Sequence, residues 1–110
     1  MAEAKIGHVE HDNERTCKKY CKYRQDQDVN RCLELLSKNA IITDKDGNKH
    51  TGQDEIREYL TNSYVSATYT EPERVKDNLY TVQITAYWVI TKTAYFYFNS
   101  KGKIKSIKIE

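Results

Sequence analysis

A chain of 110 residues is long enough for one independently folding domain and too short for two of ordinary size. Eighteen basic against sixteen acidic residues leave a net charge of +2, far from the concentrated basic footprint of a dedicated nucleic-acid binder. The hydrophobic fraction is only 38%, yet nine Tyr, two Phe and one Trp supply large rings that can build a core while keeping polar tips wet.

No run approaches the roughly 20 apolar residues of a bilayer span, and the opening MAEAKIGHVEHDNE lacks an apolar stretch like a secretion signal. The expectation is a cytoplasmic or nuclear protein with no membrane and no nucleic-acid partner. Three Cys cannot all pair within one chain, so free core thiols are expected. Cys17 and Cys21 with His8 or His11 are the alternative, a metal site, but they lack the paired short spacings of structural zinc modules. No metal and no cofactor is expected.

Residues 1–12 are polar and aperiodic and read as a flexible lead-in, leaving one domain over 13–110. Asp12 or Asn13 can cap a first helix, in which Cys17, Tyr20, Cys21 and Arg24 recur at helical spacing while Arg15, Lys18, Lys19 and Lys22 take another face. Asp28 caps a second helix with Val29, Cys32, Leu33 and Leu36 at i, i+3, i+4 and i+7. Ala40 to Thr43 is β-prone and runs into Asp44-Lys45-Asp46-Gly47-Asn48, whose Asp-Gly step predicts a hairpin. In Gln53 to Leu60 early acidic residues suit a helix N-terminus, and Ile56, Tyr59 and Leu60 form its apolar face.

Beyond about Val65 the chain reads as strand, with Pro72 at an edge or irregularity. Tyr80 to Thr91 alternates as one strand, with Val82, Ile84, Ala86, Trp88 and Ile90 on the core side. Ala94, Phe96 and Phe98 face the core from the next strand, and Asn99-Ser100-Lys101-Gly102 turns into a last strand carrying Ile107 and Ile109. Leu33, Leu36, Ile56, Tyr59, Ile84, Trp88, Phe96 and Phe98 are predicted to be buried together. Lys101, Lys103, Lys105 and Lys108 read as a solvated strand face, since no aromatic stacking motif accompanies them. The fold class is therefore α+β: three N-terminal helices on a mainly antiparallel sheet.

The order of elements, with Leu35-Leu36-Ser37-Lys38-Asn39-Ala40 leading into Ile41-Ile42-Thr43-Asp44, then Gly52 to Leu60, Phe96-Tyr97-Phe98-Asn99 and Gly102-Lys103-Ile104, resembles the nuclear transport factor 2-like superfamily. The nearest branch is ketosteroid isomerase and the SnoaL-like cyclases. The resemblance implies a cone with one apolar pocket, whose wall would include the ligand-binding residues Tyr59, Trp88, Phe96 and Phe98. It also places Tyr20 at that family's oxyanion-hole tyrosine and Asp44 at its general-base aspartate. The family's second donor, a protonated aspartic acid, falls on Ala94. Loss of one such donor typically costs about 2.7 to 4 kcal/mol of transition-state stabilisation.

Two functions follow from different classes. One is a non-catalytic module that binds a small apolar ligand or a protein segment and forms a homodimer through the outer sheet face of Tyr87, Val89, Tyr95 and Tyr97. The other is an isomerase, cyclase or dehydratase with Asp44 as general base and Tyr20 as hydrogen-bond donor. Each residue also has a plainer reading. Asp44 suits a polar position before a turn, Tyr20 a core aromatic, and His50 a solvated loop that could move protons only if it lay beside Asp44.

Overall fold

The computed structural model of the chain describes residues 2–110, with side chains described from residue 12 onward. Three helices, α1 (Ala2–Gln25), α2 (Val29–Glu34) and α3 (Gly52–Asn62), accompany seven strands. The strands are β1 (Leu36–Thr43), β2 (Lys49–Thr51), β3 (Ala67–Tyr69), β4 (Glu73–Lys76), β5 (Leu79–Ala86), β6 (Ile90–Phe98) and β7 (Ile104–Ile109). The sheet runs β2-β1-β7-β6-β5-β3, with β4 also pairing β5, and stays open and curved. β1 lies parallel to β7, and the other pairings are antiparallel.

α1 begins at Ala2, earlier than a cap at Asp12 or Asn13 predicts, and the side chains of residues 1–11 of the expected lead-in lie outside the described residues. Its stripe is as read: Cys17, Tyr20 and Cys21 are buried while Arg15, Lys18, Lys19 and Lys22 are exposed. Asp28 caps α2 by accepting the Arg31 N–H at 3.3 Å. α2 then stops at Glu34, so Leu36 is not its fourth apolar position but the first residue of β1. The cause is non-local. Ile104 N–H donates to the Leu35 carbonyl at 3.0 Å and Lys103 Nζ to the Glu34 carbonyl at 2.7 Å, so the start of β7 and the residue before it capture backbone that a longer helix would have used.

The Asp44–Asn48 turn closes β1 on β2 as its residues predict, with Gly47 at φ +85° and its N–H donating to the Asp44 carbonyl at 2.9 Å. Pro72 falls between β3 and β4, where the edge of the sheet is interrupted.

A second departure concerns Tyr80 to Thr91, which is not one strand. β5 ends at Ala86, the chain reverses through Tyr87-Trp88-Val89, and β6 begins at Ile90, with Ala86 opposite Ile90. Tyr87 and Val89 thus belong to a turn and not to the outer sheet face. Trp88, predicted in the core, is 93% exposed. The remaining predicted core holds together: Leu33, Leu36, Ile56, Phe96 and Phe98 are buried, and Tyr59 and Ile84 pack partly buried against them. Tyr20 closes α1 onto the sheet, its ring edge-on to Phe96 at 5.5 Å and 74°.

Candidate functional site

The β1–β2 turn, the C-terminal end of α3 and the β5–β6 hairpin converge at one end of the sheet. Between them lies a cavity of about 370 Å³. Tyr59, Val65, Tyr69, Ile84, Ala86 and Ile109 form most of its wall, and Asp44, Lys45, Asp46 and Lys92 bring charge to it. Arg24 sets the α3 side, its guanidinium donating to the Leu60 carbonyl at 3.0 Å and to Ser63 Oγ at 3.2 Å. The first of these bonds satisfies a carbonyl that the end of the helix leaves without a partner.

Asp44 is tightly held. Its Oδ2 lies 3.0 Å from His50 Nε2, and its Oδ1 accepts the N–H groups of Asp46 at 2.9 Å and Asn48 at 3.0 Å. The side chain is 13% exposed, and that of His50 24%. The hydrogen bond from His50 holds the Asp44 carboxyl below its ordinary pKa; the turn amides act the same way, while burial opposes them. His50 is in turn stacked on Tyr59, ring centroids 4.2 Å apart at 22°. The expected solvated loop histidine is therefore a partly buried partner of the carboxylate.

Because its pKa is depressed, Asp44 contributes stability that is present above its unfolded-state value of about 3.9 and is lost as pH falls through the folded value. A carboxyl-resolved NMR titration should place Asp44 below that value, and His50→Ala should move it upward. A midpoint unchanged by His50→Ala would mean that the imidazole does not set it.

The other sequence candidates scatter. Tyr20 does not line the cavity; it is 6% exposed, and burial pushes its hydroxyl well above the ordinary range, with Arg24 opposing. Phe96 and Phe98 are core residues at 1% and 2% exposure, away from the cavity wall. Ala94 is buried within β6 between Val82 and Ile109 and offers no donor. Of the four expected wall residues, the cavity takes Tyr59 alone. Burial of Tyr69 pushes its hydroxyl up to about 12, with Arg24 opposing.

Sequence reading missed Val65, Tyr69, Ile84 and Ile109 as wall and His50 as the partner of Asp44. A signal for the last existed. Ile42 pairs with His50 across the hairpin, and positions 42 and 44 share a face, so a correct register brings Asp44 and His50 together.

Burial pushes the thiols of Cys21 and Cys32 up to about 12 and that of Cys17 higher still, the state of inert core cysteines. Among the described residues no group of three His, Cys, Asp or Glu side chains could hold a metal ion; His8 and His11 lie outside them. At the opposite end of β6 a cleft of about 400 Å³ is lined by Arg15, Lys19, Lys101 and Lys103 together with Asp12 and Leu35. Among the described residues no helix is long and apolar enough to cross a membrane.

No family model matches this sequence, and no curated protein matches it. Solved structures do. An uncharacterised cystatin-fold protein from Novosphingobium aromaticivorans superposes with a TM-score of 0.72 at 17% identity, covering 89% of this chain and 97% of its own. A nuclear transport factor 2-like protein of unknown function from Cytophaga hutchinsonii gives 0.76 at 9% identity, covering 89% and 88%. The fold is nuclear transport factor 2-like. SalBIII, an epoxide hydrolase/cyclase-like enzyme with a role in pyran ring formation in the polyether salinomycin, gives 0.68 at 20% identity, covering 91% and 90%. At these identities the likeness shows the fold and leaves function to the site, since the nuclear transport factor 2-like scaffold carries unrelated activities.

Proposed function

We propose that this nuclear transport factor 2-like domain is a non-catalytic binding module for a small apolar ligand, held in the cavity walled by Tyr59, Tyr69, Ile84 and Ile109. The observation that carries this reading is the state of Asp44. Both carboxylate oxygens are engaged, by His50 and by two turn amides, and its pKa is lowered. A general base works best with a pKa near the operating pH and a lone pair free for the proton it takes. Asp44 departs from the first requirement, and three of its roughly four acceptor sites are already taken. Tyr20 and Ala94 supply no donor to the cavity, so the pair of donors that the resemblance implies for an enolate is not assembled there.

Titration with 1-naphthol as an apolar probe, read by amide shifts, should saturate at one site and move Ile84 and Ile109. Ala86→Phe places a ring in the cavity and should weaken that binding about tenfold, roughly 1.4 kcal/mol. Probe binding indifferent to Ala86→Phe would place the ligand elsewhere. The reading extends to a homodimer through Tyr95 and Tyr97, which stand half-buried on the outer face of β6. A monomer in sedimentation at tens of micromolar would remove that part alone.

A second reading is favoured by the contact between Asp44 and His50. A carboxylate that orients an imidazole is half of a proton-transfer dyad, and a second cleft, of about 390 Å³, reaches His50 from its other side beside Glu55 and Glu58. SalBIII shows that cyclase-like enzymes exist on this fold. Turnover of an epoxide or steroid enone that is abolished by Asp44→Asn would establish the enzyme and displace the binding module.

A further inference from the structure

Trp88 is the one tryptophan of the chain, and it stands 93% exposed at the tip of the β5–β6 hairpin. Val89 is 81% exposed, Tyr87 66% and Ile90 48%. Apolar side chains gathered at one place on a surface mark a contact site rather than ordinary exposure. The backbone reinforces this. Tyr87 and Trp88 have φ of 53° and 67°, and the Val89 N–H donates to the Ala86 carbonyl at 3.3 Å. Two successive left-handed residues make the turn that favours Asn-Gly, and bulky rings are strained there. Strain of this kind persists at functional sites, where the displayed side chains have a use.

The tip also has a particular neighbour. Tyr87 and Ile90 line the mouth of the apolar cavity together with Val65, itself 40% exposed. The entrance to the cavity therefore lies beside the exposed rings.

We propose that the Tyr87–Ile90 tip docks into the interfacial layer of a lipid bilayer and presents the cavity mouth to the membrane. Two aromatic and two aliphatic side chains expose on the order of a few hundred Å², short of the roughly 800 Å² per partner that a specific protein interface needs. A shallow insertion asks for less: Trp and Tyr are the residues that settle at the boundary between headgroups and acyl chains. Charge at the mouth is balanced, Asp44 and Asp46 against Lys45 and Lys92, so anionic lipid is not required. Docking through so few side chains is weak and reversible, as suits a protein that visits a membrane without residing in it. Exchange of an apolar ligand between bilayer and cavity rests on the binding reading above; docking itself does not.

The lone tryptophan reports the event. Adding phosphatidylcholine vesicles should shift Trp88 emission to shorter wavelength and make it quenchable by brominated acyl chains, with no dependence on salt. The full chain should co-sediment with the vesicles, and Trp88→Gly should abolish co-sedimentation while unfolding at a denaturant concentration no lower than the parent, because glycine suits the left-handed position. Emission unmoved by vesicles, or a blue shift that follows protein concentration without lipid, would overturn the proposal, the latter in favour of a second copy. The 1-naphthol titration in lipid-free buffer tests the cavity separately, so vesicle docking without probe binding removes only the ligand reading, and the reverse removes only the docking.

Discussion

Phe96→Ala is expected to destabilise the domain by about 3 to 5 kcal/mol, the range for removing a buried phenylalanine from a core. Phe96 is 1% exposed near the C-terminal end of β6, paired with Tyr80 of β5 and Ile107 of β7, and in T-shaped contact with the Tyr20 ring from α1. Its ring is where the first helix and three strands meet, so little can collapse into the space it leaves. Small domains have only about 5 to 15 kcal/mol in all. Urea unfolding followed by far-ultraviolet circular dichroism should show a much lower midpoint at an unchanged slope. A midpoint within the error of the parent would mean that α1 does not rest on the sheet through this ring.

Leu36→Ala should cost about 2 to 5 kcal/mol. The residue is 4% exposed and starts β1 opposite Ile104, just after the end of α2. Its loss opens a void beneath the end of α2 and also loosens the parallel pair. Hydrogen exchange separates the two roles. The amide of Ile104, which donates to Leu35, should exchange faster in the variant, whereas a helical Leu36 would transmit its effect to the amides of Cys32 and Leu33.

Leu36 shows where local pattern stops being informative. Its spacing from Val29, Cys32 and Leu33 is that of a helix face, and nothing within α2 argues against a further turn. What ends the helix lies almost seventy positions away in the chain, where Lys103, just before β7, takes the carbonyl of Glu34 and Ile104, the first residue of β7, takes that of Leu35. The hairpin tip failed for the opposite reason. Tyr87, Trp88 and Val89 are strand-forming residues, and no Gly, Asn or Pro interrupts the alternation that runs from Tyr80 to Thr91. A turn made from such residues is invisible to turn chemistry, and the alternation alone assigns Trp88 to a core it does not enter.

The candidate site was legible in part. Asp44 and Tyr59 do reach the cavity, Asp44 because the Asp-Gly turn fixes its position and Tyr59 because it lies one step from the buried Leu60 on α3. Tyr20 sits on the buried stripe of α1, as its spacing requires, but the same stripe places it against Phe96 and out of the cavity wall. Helical phase says that a side chain points inward; it does not say whether the interior at that level is packed or open.

By itself the sequence determined the features whose causes lie within a few residues. They are the buried stripe of α1, the Asp28 cap, the Asp44–Asn48 turn, and the inward set Ala94, Phe96 and Phe98, because helical pitch, strand pleat and turn chemistry act over that range. The tertiary structure decided the rest: the parallel pairing of β1 with β7, the contact of His50 with Asp44, the cavity among Tyr59, Tyr69, Ile84 and Ile109, and the outward Trp88. Each of these depends on where segments distant in the chain come to lie, and the free energy that places them comes from burial shared across the whole core rather than from the residues that end up in contact.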